Sequence, residues 1–261
     1  LPEGSDPERA AFRLIVDPID GTRGLMYNKR SGWALAGVAP NRGAATCLAD
    51  IEIAVQTELP TTRAAVADIL WAVRGQGAAG VAETLATGET RPFVPRPTRA
   101  TDLAHGWAAI AKFFPGDKRL VAAIEEELFD RLLGPPADGN PRVFDDEYVS
   151  SGGQLYELMI GHDRFLADLR PLTYARVLPA GAQRLCAHPY DLCTELIARE
   201  AGVEVADPYG RPLAAPLDIR APVAWVGYGN AAIRRQVEPV LQEILARHLG
   251  DVWEKYDGRG S

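Results

Sequence analysis

The apolar run Leu14-Ile15-Val16 leads without a break into Asp17-Pro18-Ile19-Asp20-Gly21-Thr22. Two carboxylates therefore sit three residues apart at the end of a buried-type strand, with a proline between them and a glycine and a threonine directly after. No hydrophobic core needs that arrangement, whereas a divalent cation and a phosphate can use all of it. Past a strand end, three residues of turn can curl both side chains towards one cation, and the Ile19 carbonyl adds a further hard oxygen. Magnesium prefers such oxygen ligands and keeps waters in its remaining positions. Gly21 permits close approach of the backbone. The Thr22 hydroxyl or N–H can hold phosphate or orient a metal-bound water. An isolated Asp-x-x-Asp arises easily as an Asx turn; the complete hexamer after an apolar strand points instead to a ligand set.

Composition narrows the partners. The 261 residues are 47% apolar, ample for one large domain or two closely packed ones. With 28 basic against 35 acidic residues the net charge is −7, so a nucleic-acid duplex is excluded as the default partner. Acidity does not bar a small phosphorylated molecule, because a bound cation inverts the local field. Cys47, Cys186 and Cys193 make no disulfide framework and fit a reducing, cytoplasmic setting. No apolar run approaches the roughly 18 residues of a membrane span, and the start has no signal-peptide pattern. Leu1 to Pro7 reads as a turn that enters the acidic motif abruptly.

In chain order, Phe12 to Val16 reads as a strand, Arg23 to Arg30 as an exposed connection, and Ser31 to Ala39 as a buried strand. Thr46 to Thr57 reads as a strand or hairpin component, with Asp50, Glu52 and their neighbours alternating at period two. Thr61 to Val73 fits a helix by length or a strand through Trp71-Ala72-Val73. Arg74 to Ala78 is a tight connection and Pro92 to Pro97 a surface loop. Ala104 to Phe113 is an expected strand. Lys118 to Leu133 is an expected helix, with Leu120, Val121, Ile124, Leu128 and Leu132 at helical spacing. Gln154 to Ile160 follows as a helix and Arg164 to Leu169 as a strand. A helix opens at His188-Pro189-Tyr190-Asp191 and runs to about Glu200, since proline suits a first turn and an acid there meets the helix dipole. Val203 to Ala206 and Val223 to Tyr228 are strands, and Asn230 to Leu249 a long amphipathic helix. The alternation favours a layered mixed α/β fold, divided at about residues 134–150 into subdomains 1–140 and 141–261.

Several of these segments, with the hexamer, resemble the inositol monophosphatase-like superfamily, magnesium-dependent, lithium-sensitive phosphomonoesterases that include fructose bisphosphatases and nucleotide-phosphate phosphatases. Trp71 to Ala78 resembles that family's strand and glycine-rich turn. Ser150-Ser151-Gly152-Gly153-Gln154-Leu155 resembles the opening of its central helix, and Gly161 to Phe165 the turn and strand after it. His188-Pro189-Tyr190-Asp191 stands where the family has a tryptophan-aspartate pair, and Ala201-Gly202-Val203 matches the end of the following helix.

The resemblance implies a layered αβαβα sandwich, here without the usual N-terminal helical segment. It selects Asp191 as a third, distant metal ligand beside Asp17, Asp20 and the Ile19 carbonyl. The family's upstream glutamate pair has no counterpart; Glu3 is the nearest substitute, only 14 residues before Asp17. Either residues ahead of Leu1 belong to the machinery or this is a shortened relative with altered activity. The implied chemistry is hydrolysis of a small phosphate monoester by metal-activated water, with Mg2+ as cofactor and Thr22, Asp17 and Asp20 as the catalytic group. Gly21 and Thr22 would hold phosphate. Inositol monophosphate or a related sugar phosphate is the implied substrate and a homodimer the implied assembly. The alternatives are a 3′-phosphonucleotide phosphatase and a catalytically weak metal- or phosphate-binding protein. His188 is expected to shape the Asp191 turn, Cys186 and Cys193 to pack, and Trp225 to lie in the core. Arg23, Lys29 and Arg30 are expected in solvent, and Tyr190 fits either pocket lining or packing.

Overall fold

The computed structural model describes residues 6–135, 139–179, 182 and 185–256. Its first sheet is an antiparallel meander of six strands in sequence order: β1 (Phe12–Asp20), β2 (Gly32–Pro40), β3 (Ile53–Leu59), β4 (Val66–Val73), β5 (Ala78–Thr84) and β6 (Glu89–Phe93). Alternation sorts its side chains. Ile15, Leu35, Ala54, Leu70 and Ala72 point into the molecule, while Leu14, Val16, Ile53, Val55 and Trp71 point out of it. A short helix, α1 (Thr22–Met26), sits between β1 and β2.

β1 does not stop at Pro18. Its pairing with β2 runs from Asp17↔Leu35 to Asp20↔Trp33, three steps on one strand against two on the other. The extra residue is a bulge, where a strand tolerates proline. In a regular strand residues three apart face opposite ways. Across this bulge Asp17 and Asp20 are both buried while Pro18 and Ile19 are exposed. A bulge within the strand therefore turns the two carboxylates the same way, rather than a turn beyond its end.

The strands change sheets between Phe93 and Gly106. The second sheet contains β7 (Gly106–Ile110), β8 (Val143–Phe144), β9 (Asp163–Asp168), β10 (Glu204–Ala206) and β11 (Trp225–Tyr228), in the order β10-β11-β9-β7-β8. β7 is parallel to both β8 and β9, and the other pairs are antiparallel. Between the two sheets lie α3 (Ser151–Met159) and α5 (Glu195–Ala201), which touch strands of both. On the far side of the second sheet pack α2 (Lys118–Leu133) and α6 (Ala231–Leu249), joined by α4 (Arg170–Val177) and α7 (Asp251–Lys255). One apolar cluster, with Leu35, Leu155, Leu196 and Trp225, fills the space between the sheets. A second, with Ile110, Ile124, Phe165, Val237 and Ile244, fills the outer layer. The result is a layered α/β sandwich. Among the described residues no helix covers the outward face of the first sheet.

α2 and α6 follow the expected periodicity. Val121, Ile124 and Leu128 are buried on the first, and the Asn230 side chain caps the second by accepting the N–H groups of Ala232 and Ile233. Of Thr61 to Val73, only Val66–Val73 forms a strand, β4, paired on both sides with neighbouring strands, and 61–65 is a turn leading into it. Thr46 to Thr57 is not a continuous strand: Leu48–Asp50 is a 3-10 turn in which Asp50 accepts the Cys47 N–H, and β3 starts only at Ile53. Among the described residues no helix is long and apolar enough to cross a membrane.

Candidate metal centre

Asp17, Asp20 and Asp191 converge. Each offers a carboxylate oxygen, and the three oxygens lie within 4.8 Å of one another. The first two come from the bulge of β1. Asp191 comes from a 3-10 turn, Pro189–Leu192, where a continuous helix from residue 188 to about residue 200 is expected. The helical path breaks at Thr194, and α5 begins at Glu195. Thr194 is fully buried, and its hydroxyl donates to the Gln56 Oε1 at 2.9 Å while the Gln56 Nε2 donates to the Gly152 carbonyl at 2.8 Å. That strut ties the Asp191 turn to β3 and to the start of α3. Gly37 on β2 allows the turn to close in, because a Cβ there would stand 2.8 Å from the Cys193 carbonyl. Cys193 itself is buried packing, as expected.

Each carboxylate has one oxygen held by the protein. The Asp17 Oδ1 accepts the Ile19 N–H at 3.0 Å. The Asp191 Oδ2 accepts the His188 N–H at 2.7 Å, so His188 shapes this turn. The Asp20 Oδ2 accepts two bonds, from the Ser150 hydroxyl at 2.8 Å and the Gly152 N–H at 2.7 Å. One oxygen on each side chain carries no such bond. Hydrogen bonds of this kind fix the orientation of a ligand and leave its other oxygen for a cation.

The electrostatics fit that reading. Burial pushes Asp17 up to about 6, opposed by the Ile19 N–H and reinforced by the adjacent Asp191 charge. Burial pushes Asp20 up to about 7, Asp191 adds to the rise, and the Gly152 and Ser150 donors act against it. The phenol of Tyr190 is pushed up to about 12, first by burial and then by Asp191. Three acidic groups crowded out of water repel one another, and a divalent cation is the group that relieves them. The donor set is hard oxygen, which suits magnesium-type cations better than soft metals.

The remaining expected residues lie around this point. Thr22 opens α1, and its hydroxyl donates to the Ile19 carbonyl at 2.7 Å, which leaves that carbonyl a second lone pair. Gly21, with a left-handed φ of 79°, directly precedes α1, whose first N–H groups have no partner within the helix. Glu3 lies outside the described residues. Tyr190 stacks on His188 with ring centroids 5.2 Å apart. Arg30 pairs with Asp146 and lies over the Tyr148 ring at 4.8 Å. Lys29 and Arg30 border a cavity of about 450 Å³, together with Glu58, Tyr148 and Tyr156, and none of the three aspartates lines it. The sequence presents Ser150 only as part of a helix-opening segment. Its contact with Asp20 bridges 130 positions of sequence, and no local pattern announces it.

No protein-family model matches the chain, and no curated protein matches its sequence. Solved structures do share its fold. The fructose-1,6-bisphosphatase of Leishmania major in its T-state aligns with a TM-score of 0.61 at 13% identity, covering 92% of this chain and 71% of that one. The inositol monophosphatase from Anabaena aligns at 0.58 and 15% identity over 90% of this chain and 75% of its own. SaIMPase-II, solved with inositol monophosphate bound, aligns at 0.58 and 16% identity over 97% and 77%. The layered architecture of this chain is thus the fold of inositol monophosphatase and fructose-1,6-bisphosphatase structures, with a buried three-aspartate cluster fit to hold a divalent cation.

Proposed function

We propose that this protein hydrolyses a small phosphate monoester with the help of Mg2+. The observation that carries the proposal is the convergence of Asp17, Asp20 and Asp191 from distant parts of the chain, each with one carboxylate oxygen free of protein donors. In this reading the three aspartates and the Ile19 carbonyl hold the cation, with Glu3 as a further candidate. When bound, Mg2+ acidifies water and neutralises charge on the phosphate and the departing oxygen. Thr22 presents a hydroxyl oxygen beside the same carbonyl and orients the attacking water. The N–H groups that follow Gly21 grip the phosphate oxygens. Burial of the aspartates excludes bulk water and strengthens each of these interactions.

Inositol monophosphate or a related sugar phosphate is the proposed substrate, supported by the fold shared with SaIMPase-II and with fructose-1,6-bisphosphatase. A second reading, a metal- and phosphate-binding protein with weak turnover, is favoured by one observation: among the described residues three carboxylates, and no fourth, make up the cluster. A phosphate-release screen over inositol, sugar and 3′-nucleotide monophosphates, with and without Mg2+, decides between them. Mg2+-dependent release supports the enzyme; metal binding without release of phosphate from any of these sinks it.

A further inference from the structure

We propose that Ser150 is a positioning residue for Asp20, and that it aims the free Asp20 oxygen at the metal position. The inference rests on the metal-site reading above and goes beyond it, because Ser150 touches neither a cation nor a substrate in that scheme. Three bonds define the arrangement. The Gly153 N–H donates to the Ser150 Oγ at 2.8 Å. With that lone pair occupied, the single hydroxyl proton is directed to the Asp20 Oδ2, 2.8 Å away. The Gly152 N–H reaches the same oxygen at 2.7 Å.

Two donors on the Oδ2 leave the Asp20 Oδ1 as the oxygen free to meet a cation. The χ angles of Asp20 are thereby fixed by a residue distant in sequence, since Ser150 caps α3 between the two sheets. All of these groups are buried, so no water competes for the bonds. The backbone is shaped to the contact. A Cβ on Gly152 would stand 3.1 Å from the Asp20 Oδ2 and 2.7 Å from the Leu35 Cδ2, and a Cβ on Gly21 would stand 3.0 Å from the Ser150 Cβ. The positive end of α3 faces the carboxylate and favours its charged form.

Ser150 also caps α3, and the two roles separate by substitution. Ser150→Gly keeps a residue that caps helices almost as well as serine but removes the hydroxyl, whereas Ser150→Ala removes both. Ser150→Thr keeps both. Mn2+ binding is titrated calorimetrically on the wild type, these three variants and Asp20→Asn, with melting temperatures measured alongside. The expected result is about 10- to 100-fold weaker Mn2+ binding for both Gly and Ala variants, with recovery in the Thr variant. The Mg2+ concentration for half-maximal turnover should rise in step, while turnover at saturating Mg2+ changes less. A Gly variant that binds Mn2+ like the wild type, beside an Asp20→Asn variant that does not, overturns the positioning role. A wild-type protein that binds no Mn2+ overturns the metal site itself.

Discussion

The two faces of the first sheet are drawn from alternate residues of the same strands, yet they partly invert the usual pattern. The inward face of β1 carries Ile15, Asp17 and Asp20, and β3, one strand beyond β2, contributes Gln56. The outward face carries Leu14 at 66% exposure, Val16 at 44%, Ile53 at 45%, Val55 at 38% and Trp71 at 38%. Carboxylates are buried among inward aliphatics such as Ile15, Leu35 and Leu70, while the outward aliphatics are wet. The second sheet shows no such inversion, since Phe165 and Trp225 are buried on its opposite faces in two separate clusters. The lesson is that apolar content says a strand is in a sheet but does not say which side is the core. The burial of Asp17 and Asp20 is tolerated because backbone and hydroxyl donors meet them and because a cation can offset their charge.

The strongest attempt to break this contrast is on the inward face. Asp17→Asn, Asp20→Asn and Asp191→Asn should each lower Mg2+-dependent phosphate release by about a hundredfold or more. Wild-type rates in all three would end the site assignment. Next in size is packing. Leu35→Ala, fully buried behind the aspartates, should cost about 2–5 kcal/mol in urea unfolding, whereas Val55→Ala on the outward face should cost under about 1 kcal/mol. Equal losses would erase the difference between the faces.

A pH experiment sharpens it further. Burial, reinforced by the Asp191 charge, pushes Asp17 up to about 6 and Asp20 up to about 7 in the metal-free fold, above the 3.8 of a free aspartate. The metal-free fold thus holds more protons than the unfolded chain across that window, and its stability falls as pH rises through it. With EDTA, Tm should drop by several degrees from about pH 5 to about pH 8. Saturating Mg2+ should flatten or reverse the trend. A metal-free Tm that rises over the same range would contradict the crowding of the carboxylates. The smallest effect belongs to the outward face. Leu14→Thr with Val16→Thr should leave Tm within about 2 °C while reducing the fluorescence of a hydrophobic dye such as ANS. Unchanged dye binding would mean that this face does not behave as exposed apolar surface.

Much of this was legible in the chain. The periodicity of Lys118 to Leu133 and of Asn230 to Leu249 marked α2 and α6, because each helix buries one stripe and its ends carry clear punctuation. The hexamer stood out because its residue types serve no packing purpose, whereas Asp191 is singled out only by the family resemblance, since an acid in a first helical turn has an ordinary explanation. What escaped has physical reasons. β6 is an edge strand with exposed residues almost throughout, so it lacks alternation, and α4 is short with a proline in its first turn. The break at Thr194 follows from the buried bond to Gln56, a contact across 138 positions. The bulge at Pro18-Ile19 was invisible because only pairing with β2 shows that three residues oppose two.

That bulge makes the site depend on chain length as well as on residue type. The pairs Asp17↔Leu35 and Asp20↔Trp33 anchor β1 on either side of one surplus residue. Deleting Ile19 would let the strand straighten with both anchors kept, so the sheet could absorb the loss. The two aspartates would then stand two apart in a regular strand, still on one face, but the Ile19 N–H that holds the Asp17 carboxylate and the Ile19 carbonyl beside Thr22 would be lost. Substitutions erode such a centre by degrees, whereas a single codon lost here would remove both backbone groups of the bulge at once and spare the scaffold. In a set of relatives, insertions and deletions at this spot are therefore a more telling record of whether the chemistry has been kept than overall identity is.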